Sequence, residues 1–475
     1  EVYGTFIALV YLTPFFGGIL ADRKIGYRKA VVIGGTLMGI GYLLLAIPGT
    51  KAFFVALGVI VVGNGFFKPN MSALVGRLYP EDSPLRDAGY SIFYMGINIG
   101  AFACNFVAAL LRNRFGWGWA FAAAGIGMFL GVLIFLSNQR LLRDAPDRGD
   151  GSEIEEGVVR GLLAQVVLPA VVAGTVGYFF LGPVFGSATT AAFVFAALPV
   201  VIYYAVLWLR APREEKGPIG ALLSIFAVVV IFWMIFHQNG STLTFWTEEN
   251  TRREAGALAP VLQTLHLHQD ATIGVAIHDP DAQGSYWRNV PSERRPDEGA
   301  EVTLVSTELF QSINPFFIIV FTPLVVAFFA WLRQRGKEPS TPAKIAWGMV
   351  ITAVSTVFMI GAVVVSHGGL FKVSPSWLIG TYAVITVGEL FLSPMGLALV
   401  SKLAPARVTA LMMGGWFLAT SIGNKLAGVL AGFWEKIPLV GIFSINLVAA
   451  LLAAIAIGLM TPRIRRIMEE HAERT

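Results

Sequence analysis

Apolar runs long enough to cross a lipid bilayer recur along the whole chain, and mostly short polar connectors separate them. A transmembrane helix needs about 20 mostly apolar residues to span a hydrocarbon core about 30 Å thick. The pattern therefore predicts an all-α membrane protein. The thirteen predicted segments are 3–21, 30–47, 53–76, 88–111, 117–137, 158–181, 188–209, 219–246, 306–332, 343–366, 376–401, 408–434 and 439–460.

The composition agrees with this pattern. Of the 475 residues, 55% are apolar and only 14% are charged, whereas a soluble domain carries about 25% charged residues. Glycine (51 residues) and phenylalanine (35 residues) are abundant, as expected for helices that pack closely and face lipid. The net charge of +5 is explained by where the basic residues lie relative to the membrane. It therefore predicts a lipid bilayer as partner and no nucleic acid.

Basic residues are concentrated in alternate connectors, which fixes the predicted orientation. One side of the membrane has 23 Lys and Arg and the other has 10. The 23 lie in the connectors at 22–29, 138–157, 210–218 and 333–342, in the tail after 460, and at Arg77, Arg86, Arg160, Lys344, Lys402 and Arg407. The positive-inside rule places them in the cytoplasm and predicts a multi-pass protein of the cell inner (plasma) membrane. Glu1 then lies outside, so we expect at least one further transmembrane helix before it.

Two features outside the apolar pattern bear on function less directly. The connector 247–305 is long and contains Pro and Gly, which is compatible with either a small hairpin or a mobile segment. The single cysteine, Cys104, lies inside an apolar segment and excludes an intramolecular disulfide. We interpret it as a small packing residue.

Three charged residues lie at membrane depth, where a charge costs about 2.5–3.5 kcal/mol on insertion scales. They are Lys68, Glu389 and Lys425. Each either forms an ion pair that holds helices together, extends its side chain to the membrane interface, or belongs to a functional site. Lys68 and Glu389 are near mid-depth beside Pro or Gly, where broken helices form binding sites. For Lys425 the structural and functional interpretations are balanced.

Polar and aromatic residues in the same segments extend the candidate site. Asn98 and Asn314 are hydrogen-bonding residues at membrane depth, although such residues also join helices. His237 titrates in the physiological range and is either a proton carrier or a neutral histidine hydrogen-bonded within the bundle. Trp233 precedes it by four residues and shares its helix face. Tyr11 and Trp416 are further candidates for the walls of a site.

A cation and an anion in separate halves of the chain suit a zwitterion. Lys68 can pair with the carboxylate of a peptide and Glu389 with its ammonium group, each through a charge-assisted hydrogen bond. A desolvated carboxylate also binds protons more readily, which offers a route for coupling transport to a proton gradient. The residues thus favour a proton-coupled carrier of short peptides.

The run Gly17–Lys29 resembles the loop between helices 2 and 3 of the major facilitator superfamily. Its glycines allow helices to approach closely, and its charges form a network that closes the cytoplasmic side. The basic connector 333–344 would be the counterpart in the second half. The resemblance implies a cytoplasmic gate motif made of Gly18, Asp22, Arg23, Gly26 and Arg28.

Five groups of segments resemble the proton-dependent oligopeptide transporter family of the same superfamily, in its bacterial form, and an imperfect sixth lies at 232–241. The five are 10–14, 67–70, 93–100, 314–315, and 388–394 together with 402–405. The resemblance implies that one set of residues lines a central peptide site: Tyr11, Lys68, Asn98, Trp233, Asn314, Glu389 and Trp416. It implies a further role in proton coupling for Lys68, and we add Glu389 and His237 as coupling candidates.

The family resemblance implies two six-helix halves with two extra linking helices at 158–181 and 188–209, outside the transport path. We expect the first half at 1–137 without its first helix, a linker with the extra helices at 138–217, and the second half at 218–461. A cytoplasmic tail would occupy 462–475.

Three departures from the family pattern affect coupling. The family's first helix carries two glutamates and an arginine, which this chain lacks because it starts too late. Many members have an acidic residue on helix 7 where this chain has His237. Mammalian members have a histidine in helix 2 where this chain has Gly4.

We therefore predict a symporter that imports di- and tripeptides with protons by alternating access, acts as a monomer, and needs no metal or other cofactor. The sequence shows no Ser-His-Asp set or clustered metal ligands at membrane depth, which argues against an enzyme. Two alternatives stay open: the same fold carrying nitrate or a drug-like molecule, and a receptor that binds peptides without transporting them.

Overall fold

Helices make up most of the computed structural model, which describes residues 2–21, 25–78, 85–142, 161, 163–272, 284–295, 297, 299–405, 408–434 and 436–472. In chain order the helices are α1 (Val2–Leu20), α2 (Tyr27–Leu45), α3 (Thr50–Arg77), α4 (Leu85–Phe115), α5 (Trp117–Ser137), α6 (Leu168–Val176), α7 (Gly182–Phe185), α8 (Ala188–Arg210), α9 (Arg213–Phe236), α10 (Thr242–Asn250), α11 (Ala259–Thr264), α12 (Thr307–Phe310), α13 (Ile313–Gln334), α14 (Thr341–Val365), α15 (Ser376–Leu403), α16 (Thr409–Ala431) and α17 (Leu439–Ala472).

The predicted membrane helices are present. Within the described ranges, eleven helical stretches are long and apolar enough to cross a membrane, and they coincide with eleven of the predicted segments. The other two predicted segments are α1 and α16, which are helices of 19 and 23 residues. The prediction of an all-α membrane protein is therefore confirmed.

Small residues hold the helices of the first half, α1–α5, close together. A Cβ atom on Gly17 of α1 would lie 2.0 Å from the carbonyl oxygen of Gly65 on α3. Asn64 adds a polar tie, because its Nδ2 donates to the carbonyl oxygen of Val10 at 2.7 Å. Close packing and inter-helix hydrogen bonds are the main attractions between helices in lipid. They hold α1 face to face with α3.

The second half consists of α9 and α13–α17. Helix α14 packs against α15 and α17, while α9 packs against α16. Buried side chains such as Leu222, Val229 and Phe232 of α9 and Met349 of α14 form its apolar core. The two halves meet along two helix pairs, since α1 packs against α16 and α4 packs against α13.

Two further helical arms lie between the halves in sequence. Helices α6 and α7, with π-helical turns Leu163–Val167 and Gly177–Leu181, form the first arm, and α8 forms the second. Phe193 and Ala197 of α8 pack against Ile422 of α16. The second arm therefore packs against the second half, and none of the described residues of either arm lines the central cavity introduced below.

Two of the predicted membrane segments contain a break in the helix that the apolar pattern does not indicate. Segment 219–246 is divided because α9 ends at Phe236 and a 3-10 turn, His237–Gly240, precedes α10. Segment 306–332 is divided around Gln311, which separates α12 from α13. Asn, Gly and Ser are poor helix formers; Asn239, Gly240 and Ser241 lie at the first break and Ser312 lies at the second.

The connector 247–305, here called the cap, is folded. Strands β1 (His268–Thr272) and β2 (Glu301–Val305) pair antiparallel, with His268 opposite Val305. Tyr286, Trp287 and Leu304 belong to a small buried cluster within the cap. Of the two predicted possibilities, the described part of the cap therefore adopts the hairpin.

The last helix extends beyond the predicted end of its membrane segment at 460, because α17 continues without a break to Ala472. Two pairs spaced four residues apart support the extension: Arg465 with Glu469 and Arg466 with Glu470, each at 2.8 Å. Such exposed pairs stabilise a helix by only about 0.3–0.5 kcal/mol each. The predicted cytoplasmic tail thus begins as helix.

Candidate substrate site

A cavity of about 280 Å³ lies between the two halves. The first half contributes one residue of α1 and three of α4. The second half contributes the break between α9 and α10 and the break between α12 and α13. The lining residues are Tyr11, Ala101, Cys104, Asn105, Phe236, His237, Asn239, Gly240, Gln311, Asn314 and Pro315. Both interrupted helices therefore open onto one cavity, as they do where broken helices form binding sites.

On the side of the first half, Lys68 lies behind an aromatic wall. Its Nζ is 3.9 Å from the centroid of the Tyr11 ring, which is a cation–π contact. The Tyr11 ring in turn lies 5.9 Å from the ring of His237 on the second half. The close packing of α1 against α3 brings Tyr11 and Lys68 together. The cation is thus near the cavity but is shielded from it by Tyr11.

On the side of the second half, Glu389 is buried and held by donors from both halves. Asn314 Nδ2 donates to Glu389 Oε2 at 3.0 Å, and also to Thr386 Oγ1 at 2.8 Å. The hydroxyl of Tyr94, on α4 of the first half, donates to Glu389 Oε1 at 3.2 Å. A carboxylate that two donors hold is oriented for charge-assisted contact with a cation. Its two donors come from opposite halves, so the hydrogen bonds of the carboxylate depend on how the halves are positioned relative to each other.

Neither charged residue is part of the cavity wall itself. Lys68 stands behind Tyr11, and Glu389 stands behind Asn314, and both of these neighbours do line the cavity. The predicted cation and anion are therefore each one side chain away from the same chamber.

His237 lies in the break after α9 and stacks on Trp233. Their ring centroids are 5.0 Å apart and the rings are nearly parallel. His237 Nε2 and Trp233 Nε1 are buried, and neither has a hydrogen-bond partner in the described part of the chain. One predicted alternative was a neutral histidine that is hydrogen-bonded within the bundle. The described residues provide no such bond at Nε2.

Two predicted site residues lie away from the cavity. The Asn98 amide donates to the backbone oxygen of Tyr94 at 2.9 Å, within its own helix. Trp416 is buried beside Gly396, where a Cβ would clash with its ring, and lies 6.4 Å from the ring of Phe226. Their predicted contact with substrate therefore requires another arrangement of the helices.

The predicted cytoplasmic gate is described in part. Gly26 has a positive φ of 83°, which its lack of a side chain permits, and it precedes α2. The guanidinium of Arg28 donates to the carbonyl oxygen of Leu142. A Cβ atom added to Gly18 would lie 3.7 Å from the Cβ of Pro69, so this position is less tightly packed than Gly17. Asp22 and Arg23 fall outside the described residues.

Several residues at the site were missed by sequence reasoning. Tyr94 was noted only as part of a motif, although it lies four residues before Asn98 on the same helix face. Asn105 and Gln311 line the cavity as uncharged polar residues. Cys104, interpreted as a packing residue, instead lines the cavity and is exposed. Polar residues in a predicted membrane helix were the available signal.

Two packed helical halves around a central chamber, with an anion and a cation behind its walls, define a membrane transporter of the secondary type. Comparison with known families makes this specific: the family model described as POT family matches residues 28–266 and 297–448. This chain belongs to the POT family of membrane transporters, which are not enzymes, and it has the major facilitator fold seen in that family's solved structures.

Similar proteins match almost the whole chain. The chain is 30% identical to the uncharacterized transporter YclF of Bacillus subtilis, over 99% of this chain and 85% of that relative. It is 30% identical to the peptide transporter YePEPT of Yersinia enterocolitica (98% and 86%) and 28% identical to dipeptide and tripeptide permease A of Klebsiella pneumoniae (99% and 85%).

The fold is similar to that of solved peptide transporters. A POT peptide transporter in complex with sulfate has a TM-score of 0.74 and 29% identity, covering 98% of this chain and 86% of that one. A mutant POT peptide transporter in complex with alafosfalin has a TM-score of 0.70 with the same identity and coverage.

Proposed function

We propose that this protein imports di- and tripeptides together with protons across the inner membrane. The observation that carries the proposal is the placement of Lys68 and Glu389 behind two walls of one cavity between the halves. The cavity volume suits a ligand of a few residues. The names of its relatives, a peptide transporter and a dipeptide and tripeptide permease, support the same substrate class.

Alternating access follows from the way in which the halves meet. Glu389 is bonded to Asn314 in its own half and to Tyr94 in the other, so a relative movement of the halves changes its hydrogen bonds. A carboxylate that loses donors in a dry site binds a proton more readily. Substrate ammonium, proton and Tyr94 would then compete for one carboxylate. Each chain holds its own cavity, which supports function as a monomer.

The test is uptake of labelled dialanine into proteoliposomes that contain the purified protein. An acidic exterior should drive accumulation above the equilibrium level, and a protonophore should abolish it. Accumulation that is indifferent to the protonophore would refute proton coupling. Binding without accumulation would favour the receptor alternative.

Competition distinguishes the substrate class. Unlabelled di- and tripeptides should displace dialanine, whereas nitrate should not, because a monovalent anion does not satisfy Glu389. Strong displacement by nitrate at similar concentrations would favour the alternative of an anion carrier with the same fold.

A further inference from the structure

The short helix α11 in the cap exposes an apolar face. Leu258, Val261 and Leu265 are spaced three and four residues apart, so they share one side of α11 and of the residues that flank it. They are 61%, 55% and 48% exposed. Exposed apolar side chains that cluster in this way mark a surface that contacts another protein or a membrane.

The opposite side of α11 is fixed to the cap itself. Gln263 Nε2 donates to Thr303 Oγ1 of β2 at 2.7 Å. After α11, the chain turns back, because the Leu267 amide donates to the carbonyl oxygen of Leu262 at 2.8 Å. Helix α11 is therefore held on the hairpin through its polar side, and its apolar face points away from the hairpin.

Hydrogen bonds to α4 set the level of α11 relative to the membrane. Asn113 Nδ2 donates to the backbone oxygens of His266 at 3.1 Å and of His268 at 2.6 Å, just after α11 ends. Asn113 lies in the last turn of α4, which ends at Phe115. The distribution of basic residues places this end of α4 on the outer side. Helix α11 thus ends at the level where α4 leaves the membrane.

The turn between α4 and α5 has the residue types of a membrane interface. Phe115, Trp117 and Trp119 are exposed there, and Trp is enriched where the apolar core of a bilayer meets the headgroups. The neighbouring Arg114 is exposed, and its guanidinium carbon lies 5.2 Å from the centroid of the Phe115 ring. A long cationic side chain at this level reaches the headgroups while its stem stays in apolar surroundings.

We propose that the apolar face of α11 lies in the outer headgroup region of the same bilayer that the bundle crosses. Leu258, Val261 and Leu265 enter the boundary between headgroups and acyl chains, as the apolar face of an interfacial amphipathic helix does. The cap is then a membrane-bound element and not a free extracellular loop. This inference goes beyond the proposed function and does not depend on what the cavity binds.

The bilayer is favoured over a second protein for two reasons. The patch adjoins the end of α4, so it continues a surface that already faces lipid. A stable protein interface buries about 800 Å² on each partner and includes about 20–30 residues. Three partly exposed side chains fall far short of that size, whereas an interfacial helix needs only one apolar face.

Spin labels at single cysteines test the proposal in the full chain, reconstituted at one molecule per lipid nanodisc. In a Cys104→Ser background, Leu258→Cys and Val261→Cys each carry a nitroxide. Power saturation measures its collisions with oxygen, which concentrates in lipid, and with a nickel chelate, which stays in water. Glu293→Cys, an exposed position elsewhere in the cap, is the water reference, and Leu130→Cys, an exposed position within α5, is the lipid reference.

Labels at 258 and 261 should show a ratio of oxygen to nickel collisions several-fold higher than the label at 293, and close to that at 130. A ratio equal to that at 293 would overturn the proposal, because the face would lie in water. Low collision rates with both reagents would overturn it as well, because another part of the protein would cover the face.

A second measurement does not need a label. Val261→Asp should speed hydrogen exchange of the α11 amides in nanodiscs several-fold, because a charge does not enter the acyl boundary. Val261→Leu is the matched control, since it keeps the apolar contact, and it should leave the exchange rate unchanged. Equal exchange in the two variants would contradict insertion of α11 into the bilayer surface.

Discussion

Arg112, near the end of α4, forms an ion pair with Glu308 of α12, and this contact joins the two halves of the protein. The neighbouring Asn113 amide donates to the backbone oxygen of His268 in the cap at 2.6 Å and to Ser306 Oγ at 2.9 Å. These contacts fasten the first half to the cap, on the side that the basic connectors assign to the exterior. Opening of the cavity to that side must break them.

Glu308→Gln should therefore shift the protein toward the state that is open to the outside. The ion pair is largely buried, and losing a bond between charged groups costs about 1–2 kcal/mol, which corresponds to roughly five- to thirtyfold in the population ratio. Cys104 is a natural reporter because it is the single cysteine and lines the cavity. Its labelling from outside by a membrane-impermeant maleimide should accelerate several-fold.

Two controls make this labelling experiment specific. Glu338→Gln also removes an ion-paired carboxylate, but its partners Arg333 and Lys344 belong to the same half. It should leave the labelling rate unchanged, and Cys104→Ser should eliminate the signal. Equal rates in Glu308→Gln and the unaltered protein would show that the ion pair does not hold the outer side closed.

Lys68→Ala should reduce gradient-driven uptake of dialanine at least tenfold, because a charge-assisted bond to the substrate carboxylate is lost. Lys51→Ala is the matched control, since Lys51 is an exposed lysine near the other end of the same helix. Uptake is measured in proteoliposomes under an imposed proton gradient. Near-normal uptake by Lys68→Ala would remove Lys68 from both binding and coupling.

Glu389→Gln should weaken binding of dialanine about tenfold and leave N-acetyl-dialanine nearly unaffected. The amide keeps the length of the side chain, its oxygen can accept from Asn314 and its NH2 group can donate to the Tyr94 hydroxyl, but it loses the charge that pairs with a peptide ammonium. Calorimetric titration with both ligands measures the difference. Similar losses for the free and the blocked peptide would contradict contact with the N-terminus.

Much of the fold could be predicted from local sequence, because a membrane helix is recognisable as an apolar run of sufficient length. The candidate charges were also identifiable, since a charge such as Lys68 or Glu389 at membrane depth is costly and rarely without purpose. The break at His237–Gly240 was missed because its flanking residues are strongly apolar. Hydropathy alone does not register that Asn and Gly are poor helix formers.

Contacts between side chains that are far apart along the chain could not be predicted from the sequence. Tyr94 and Glu389 are 295 residues apart along the chain, and nothing in either local segment indicates that one donates to the other. The same holds for the cap, whose strand β1 contains polar residues on both faces. Which side chains meet depends on how the two halves pack, and packing is a property of the whole bundle.

The cap should become more stable as pH rises above neutral. Burial, together with the nearby Arg253 guanidinium, lowers the pKa of Lys372 to about 7. Its Nζ donates to the backbone oxygen of Glu249 at 2.6 Å and lies 4.1 Å from the Tyr286 ring centroid. Between pH 7 and the ordinary lysine pKa, Lys372 binds a proton when the cap is unfolded but not when it is packed against the folded cap. Stability therefore rises with pH in that window.

The expected slope is at most about 1.4 kcal/mol per pH unit, and it vanishes below pH 7, where both states are protonated. Hydrogen exchange of the cap peptides, corrected for the intrinsic pH dependence, measures it between pH 6 and 10. Lys372→Met should flatten the profile. A flat profile in the unaltered protein would show that Lys372 keeps an ordinary pKa.

Gly17→Ala should destabilise the protein and Gly18→Ala should not, although the two changes are identical and adjacent. A Cβ on Gly17 would lie 2.0 Å from the backbone oxygen of Gly65, so α1 would have to move away from α3. A Cβ on Gly18 meets Pro69 at 3.7 Å, which is ordinary contact. Overpacking of a tight interface typically costs about 1–3 kcal/mol.

The displacement of α1 also has a functional consequence, because this helix carries Tyr11, whose ring shields Lys68. We therefore expect Gly17→Ala to lower the melting temperature in detergent by several degrees and to weaken dialanine binding together. Gly18→Ala should match the unaltered protein in both measurements. A Gly17→Ala variant with unaltered stability would mean that α1 and α3 do not approach as closely as the glycines permit, and the position of Tyr11 over Lys68 would then lack its structural cause.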